Sequence, residues 1–148
     1  MAGADHRTVN VSGIPVKKEY LSAAIMTIGL TVQLNSSGKL AASNVASAIY
    51  SGGELIVGEA PERGKGIYSS GTIENTYAVD EQVPTIAPYR GCEVLVLLTS
   101  GQYITRGGLL EVAATGKCIA HAGSFLPAYR ALETLAPRQD ALILAQRL

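Results

Sequence analysis

The sequence predicts a mainly β protein, a small antiparallel β-barrel or sandwich with an extended N-terminal arm and at most one short helix. Three observations predict it. Sixteen glycines fall between short apolar runs and not inside long periodic ones. Those runs recur at roughly 8–12-residue spacing, bounded by Gly, Pro, Asn, Asp or Ser, which is the pattern of strands joined by turns. No regular alternation with long helical segments accompanies them, and this argues against a parallel α/β sheet. A chain of 148 residues removes roughly 68–70% of its unfolded surface from water, so its core needs no disulfide framework or metal. The expected organisation is an arm over residues 1–15 and one β-rich domain over 16–148.

The segment Met1 to Gly13 is polar and small, with Val9 and Val11 alternating and little else to bury, and reads as an arm that is mobile until something holds it. Ile25 to Leu34 places Ile28, Leu30, Val32 and Leu34 in alternation with Gly29, Thr31 and Gln33, the signature of a half-buried strand. Asn35-Ser36-Ser37-Gly38 follows as a turn, and Leu40 to Ala46 resumes an extended pattern, so the two form a hairpin. Further strands are expected at Glu54 to Gly58, Gly66 to Tyr68, Thr76 to Val79, Gln82 to Ile86, Glu93 to Leu98, Leu109 to Val112, Cys118 to His121 and Ala141 to Ala145. The helix candidate is Pro127 to Ala136, with Pro127 at a first helical position and Pro137 as a stop, although Tyr129 to Leu132 also reads as extended.

One internal echo stands out. Leu34 to Ala42 resembles Val112 to Ala120 position by position around a shared Gly-Lys, at an offset of 78 residues. The simplest reading is one hairpin used twice, with glycine supplying a positive φ and lysine a solvated charge.

Composition narrows the partners. Twelve basic residues balance twelve acidic ones, and no basic cluster exceeds Lys17-Lys18. There is no footprint for counterion release from nucleic acid. The longest strongly apolar stretch, Val94 to Leu98, is far below the roughly 20 residues of a membrane helix, and Met1 to Arg7 lacks the apolar core of a secretory signal. Neither nucleic acid nor membrane is an expected partner. Cys92 and Cys118 lack metal-ligand or redox spacing and read as reduced, partly buried thiols, with a single pairing left open.

Chemistry-bearing patterns are few. None of the three Gly-Lys pairs has the Gly-x4-Gly-Lys-Ser/Thr spacing that wraps a phosphate. No G-x-S-x-G elbow occurs, and a triad would have to recruit His6 or His121. Cys118 and His121 point to opposite faces of a strand and have no further ligand nearby in sequence, so no metal is expected. Glu59 and Glu62 sit with Arg63 and Lys65 in a mixed-charge loop that pairs locally. The seven tyrosines are scattered, as suits rings at core edges or protein interfaces.

The order of segments in the second half carries a resemblance. Tyr77-Ala-Val-Asp-Glu-Gln-Val-Pro-Thr-Ile is followed by Gly91-Cys-Glu-Val-Leu-Val-Leu-Leu and Gly101-Gln-Tyr-Ile-Thr-Arg-Gly-Gly-Leu-Leu. Then come Ala114-Thr-Gly-Lys, Tyr129-Arg-Ala-Leu-Glu and Asp140-Ala-Leu-Ile-Leu-Ala-Gln-Arg-Leu. Together they resemble tailed-phage head decoration, or capsid cement, proteins. Gly108 stands where that family commonly has an acidic residue, so no role of that acid carries over.

The resemblance implies a small tulip-like β protein without enzymatic activity or cofactor. It would sit on the outer capsid surface of a virion, commonly as a homotrimer, and bridge neighbouring major capsid protein subunits. Within the arm, Thr8, Val9, Asn10 and Val11 are the expected partner contacts, because an alternating extended segment suits addition to an exposed sheet edge. The rival expectation is a β-barrel enzyme or small-molecule binder, with Glu111, His121 and Tyr103 as the first suspects.

Overall fold

The computed structural model describes residues 9–13, 15–44, 52, 54–59, 76–123 and 125–148. Among them are eleven strands: β1 (Asn10–Ser12), β2 (Val16–Leu21), β3 (Thr31–Leu34), β4 (Leu40–Ala42), β5 (Leu55–Val57), β6 (Gln82–Ala87), β7 (Glu93–Leu98), β8 (Leu109–Val112), β9 (Cys118–Ala120), β10 (Tyr129–Ala131) and β11 (Ala141–Arg147). One sheet runs β2-β6-β5-β3-β4 and the other β1-β7-β11-β10-β8-β9. In the second, β9 meets β7 in parallel at Cys118 and Leu98, which closes β7, β11, β10, β8 and β9 into a five-stranded barrel. In the first, Ser22 at the end of β2 makes a parallel bridge to Leu40 of β4, bringing that sheet round on itself. The mainly β expectation holds.

With β1 set aside, the two sheets have the same strand order, and their registers agree residue by residue. Leu21 faces Gln82 as Leu97 faces Leu142, and Val32 faces Leu55 as Leu110 faces Tyr129. Val57 faces Thr85 as Ala131 faces Ala145, and Leu34 faces Leu40 as Val112 faces Cys118. Even the lone bridge Met26–Tyr77 has a counterpart in Ile104–Leu135. The chain thus builds one five-stranded plan twice, β2–β6 and then β7–β11.

The hairpin echo seen in the sequence is the best-preserved part of this repeat. The Asn35 amide donates to the Lys39 carbonyl at 2.8 Å and the Gly38 amide to Asn35 at 3.0 Å. Ala113 to Lys117 and Gly116 to Ala113, both at 2.9 Å, reproduce the pattern. Gly38 (φ 76°) and Gly116 (φ 79°) occupy the left-handed region, where glycine carries no Cβ penalty. The lysines are not merely solvated as expected. Lys39 pairs with Asp80 at 2.6 Å and Lys117 with Asp140 at 2.7 Å, each tying a hairpin tip to the segment just before the last strand of its repeat.

Partial burial pushes the Asp140 carboxyl up, but the Lys117 ammonium and the Ser100 amide outweigh this and hold it below the ordinary carboxylate range. A depressed carboxyl contributes stability that is present above its unfolded pKa of about 3.9 and is lost as pH falls through the lower folded value. Acid unfolding monitored by circular dichroism is therefore expected to steepen below about pH 4, and Asp140→Asn to flatten that limb, with at most about 1 kcal/mol at stake for a pair at the surface.

Several elements depart from the sequence reading. Pro127 to Ala136 contains no helix, because Tyr129 and Ala131 turn inward and Arg130 outward as β10 is clamped between β8 and β11. Of Ile25 to Leu34 only Thr31–Leu34 is strand, since a turn at Ile28 and Gly29 (φ 80°) precedes it. Thr76 to Val79 supplies a single bridge at Tyr77, and Gly66 to Tyr68 lies outside the described residues. β2 went unread because Lys17, Lys18 and Glu19 give it no apolar alternation, and all its residues but Tyr20 are exposed. Cys92 and Cys118 are both buried and unpaired, which settles the open pairing.

The two repeats pack into one core that runs from Ile28, Leu40 and Ile56 to Leu97, Leu110 and Ile143. Backbone contacts join them directly. The Leu97 amide donates to the Gly29 carbonyl at 3.0 Å, and the Gly116 carbonyl accepts from the Thr31 amide at 2.9 Å and the Thr31 hydroxyl at 2.7 Å. Both glycines are needed for this approach. A Cβ on Gly29 would lie 2.4 Å from Leu142 Cδ2, and one on Gly116 2.5 Å from the Thr31 oxygen.

Candidate functional site

The arm residues singled out from the sequence are seated on the protein's own second sheet. Thr8 lies outside the described residues. Val9 is fully buried between the repeats; its amide donates to Gly58 of the first at 3.0 Å and its carbonyl accepts from Leu95 of the second at 2.8 Å. Asn10 pairs with Val94 and Ser12 with Glu93 across an irregular register, so β1 covers the outer edge of β7. Strict alternation would put Val11 on the buried side with Val9, but the register shifts between Asn10 and Ser12 and Val11 is 52% exposed. Gly13 (φ 98°) passes so close to Cys92 that a Cβ there would meet the sulfur at 2.4 Å. Strand addition by the arm is thus realised within the chain for residues 10–12, with Val11 as its outward side chain.

The suspects for a chemical pocket divide between two places. Glu111 is 1% exposed, and its Oε1 accepts the Ala122 amide at 2.7 Å with His121 Nδ1 at 3.4 Å. Tyr103 is 65% exposed and borders a shallow depression of about 490 Å³ with Thr134, Pro137 and Arg138. The repeat explains Glu111. Its counterpart in the first sheet is Gln33, whose Oε1 accepts the Asn44 amide at 3.1 Å, the same capping two residues beyond β4 as Glu111 provides two residues beyond β9. A carboxylate whose work an amide performs in the other repeat is a structural acceptor. Glu111→Gln is expected to leave stability within about 1 kcal/mol of the parent, whereas Glu111→Ala loses the bond to the Ala122 amide and empties the space of a buried side chain and costs about 1–3 kcal/mol, both measured by urea unfolding.

The buried thiols and phenol are equally committed to packing. Burial pushes the Cys118 thiol up to about 12, against a smaller opposing pull from Arg147, which keeps it a neutral, unreactive thiol at physiological pH. Burial likewise pushes the Tyr129 phenol well up. Among the described residues no group of three or more His, Cys, Asp or Glu is placed to hold a metal ion. Exposed apolar side chains, by contrast, are scattered over the outside: Ile25, Leu21 and Leu34 on the first repeat, Tyr103 and Leu126 on the second, and Tyr89 between them.

No known protein-family description matches the chain, and no curated protein matches it in sequence. Among solved structures it is similar to the head fiber gp8.5 N base of bacteriophage phi29, with a TM-score of 0.52 and 9% sequence identity over 91% of this chain and 98% of that one. The likeness is one of fold, spans both chains almost end to end, and agrees with the resemblance to phage head decoration proteins drawn from the sequence.

Proposed function

We propose that the chain is a structural protein of a phage head that sits on the outer capsid surface, bridges neighbouring major capsid subunits and acts as a homotrimer. The observation that carries this reading is the shared fold with a phage head protein over nearly the whole of both chains. Surface chemistry is compatible with it: a net charge of zero and dispersed apolar side chains suit a protein shell better than a polyanion. The arm contributes through Val11, the one outward-facing side chain among the described contact candidates, with Thr8 preceding it. Three joined subunits convert the second and third capsid contacts into intramolecular events, so modest individual contacts suffice.

The test is to mix the purified protein with undecorated heads of its phage, image them, and count bound copies. Regular occupancy of the outer surface is expected; bare heads at saturating protein would overturn the reading. Because a ligand that binds only the assembled shell stabilises it by mass action, decorated heads are also expected to rupture at a higher temperature than bare ones. Equal rupture temperatures would remove the stabilising role.

A further inference from the structure

The contacts that join the two repeats have counterparts on the outside of the molecule that are uncovered among the described residues. In the join, the second repeat presents the outer edge of β7: Glu93 and Leu95 are covered by the arm, and the Leu97 amide by the Gly29 carbonyl. The corresponding positions on β2 are Lys17, Glu19 and Leu21. Strand alternation turns their backbone groups away from β6, since it is Ser22 that bonds Glu81 and Asp80 there, and nothing among the described residues covers them. Leu97 is 2% exposed and Val112 is fully buried, but their counterparts Leu21 and Leu34 are 41% and 43% exposed. A Cβ on Gly116 would strike Thr31, whereas one on its counterpart Gly38 meets nothing within 4 Å. On the other side of the join, Gly29 is buried against Leu142 and Leu97, while its counterpart Gly107 is exposed and likewise meets nothing within 4 Å. Among the described residues the first repeat therefore shows an uncovered acceptor face, and the second an uncovered turn that matches it.

We infer that these two faces bind each other between copies: the Arg106–Gly108 turn of one chain docks on the β2 edge and Gly38 hairpin tip of the next, as the Gly29 turn docks on β7 and Gly116 within one chain. The partner is a second copy of this chain, because the complementary face for each vacancy is present on the same molecule in the matching register. In this contact the Gly107 carbonyl accepts the Leu21 amide, as Gly29 accepts Leu97, and Leu21 and Leu34 are covered. The interface is head-to-tail, so it either closes into a ring or propagates. Arg106 replaces the buried Ile28, and Lys17 and Glu19 replace Glu93 and Leu95. The contact between copies is consequently more polar than the one within the chain and dissociates more readily. This association stands whether or not the protein binds a capsid.

Sedimentation velocity on the full chain and two variants tests it. Asn is the substitution of choice, since it tolerates the left-handed backbone that Gly38 and Gly107 require, and both sites have room for it in the single chain. The wild type is expected to sediment as a species larger than a dimer. Gly38→Asn and Gly107→Asn are each expected to weaken self-association about a hundredfold, to monomer, with urea unfolding curves that confirm an intact fold. Mixed together, the two variants are expected to form a one-to-one dimer, because each supplies the face the other has lost. A monomeric wild type, variants that assemble like the wild type, or a mixture that fails to pair would each overturn the inference. The first of these outcomes would assign Lys17 and Glu19 to guarding an open edge strand.

Discussion

Gly116→Val is expected to lower the unfolding free energy by about 3–5 kcal/mol, while Gly38→Val, at the same place in the other repeat, costs about 1–2 kcal/mol. The backbone penalty is common to both, since each glycine sits at a φ near 80° that L side chains avoid. Only the surroundings differ. At Gly116 a Cβ falls 2.5 Å from the Thr31 carbonyl oxygen, 3.1 Å from Leu30 Cδ1 and 3.3 Å from the Ala42 Cβ, so the hairpin must retreat from the first sheet. Retreat breaks the two hydrogen bonds from Thr31 to the Gly116 carbonyl and leaves a buried hydroxyl and amide unpaired. At Gly38 nothing stands in the way. Urea unfolding of dilute protein, followed by circular dichroism, compares the pair directly. Equal costs would mean that the contact between the repeats contributes nothing to stability.

This pairing of equivalent positions also shows how much was legible in the sequence. The Gly-Lys echo at an offset of 78 was visible because a five-residue connection and its flanking strands fix both residue type and spacing. The full repeat was not. Its remaining strands keep register but not sequence: Lys17 to Ser22 reads Lys-Lys-Glu-Tyr-Leu-Ser where β7 reads Glu-Val-Leu-Val-Leu-Leu. One is an exposed edge and the other is buried on both faces, so the same backbone position selects opposite chemistry. Loop lengths differ too, since β5 and β6 are joined by residues 58–81 but β10 and β11 by 132–140, which destroys a constant offset.

The helix expected at Pro127 failed for a related reason. Tyr129-Arg130-Ala131 carries no β-branched residue and sits between prolines, yet its two neighbours β8 and β11 leave it a slot in which extended pairing gives its backbone partners on both sides. Among the contact candidates, Asn10 and Val11 lie in β1, whereas Val9 precedes it and is buried while Val11 is exposed. The sequence could not tell which sheet edge would receive the segment, because the receiving edge of β7 is created only by the tertiary fold.

Tyr129→Ala is expected to cost about 3–5 kcal/mol, in line with truncation of a large buried aromatic whose cavity only partly collapses. The ring is fully buried on β10, facing Leu110 across the ladder, with the Arg147 guanidinium 5.4 Å from its centroid. Arg147 also hydrogen-bonds the phenol and donates to the Ala128 carbonyl at 3.3 Å, so the tyrosine secures the last residues of β11 as well as the barrel interior. Two milder variants separate these contributions. Tyr129→Phe keeps the ring and its contact with the cation and is expected to cost about 1 kcal/mol for the lost hydrogen bond. Tyr129→Leu copies the solution of the first repeat, where Leu55 holds this position. If the two repeats were interchangeable inside, leucine would be nearly neutral. Leu55, however, is only partly buried and Tyr129 wholly so. The leucine variant should therefore fall between phenylalanine and alanine, at about 2–3 kcal/mol. A leucine variant as stable as the parent would show that the second barrel tolerates the smaller core of the first, and that the tyrosine is held there by something other than packing.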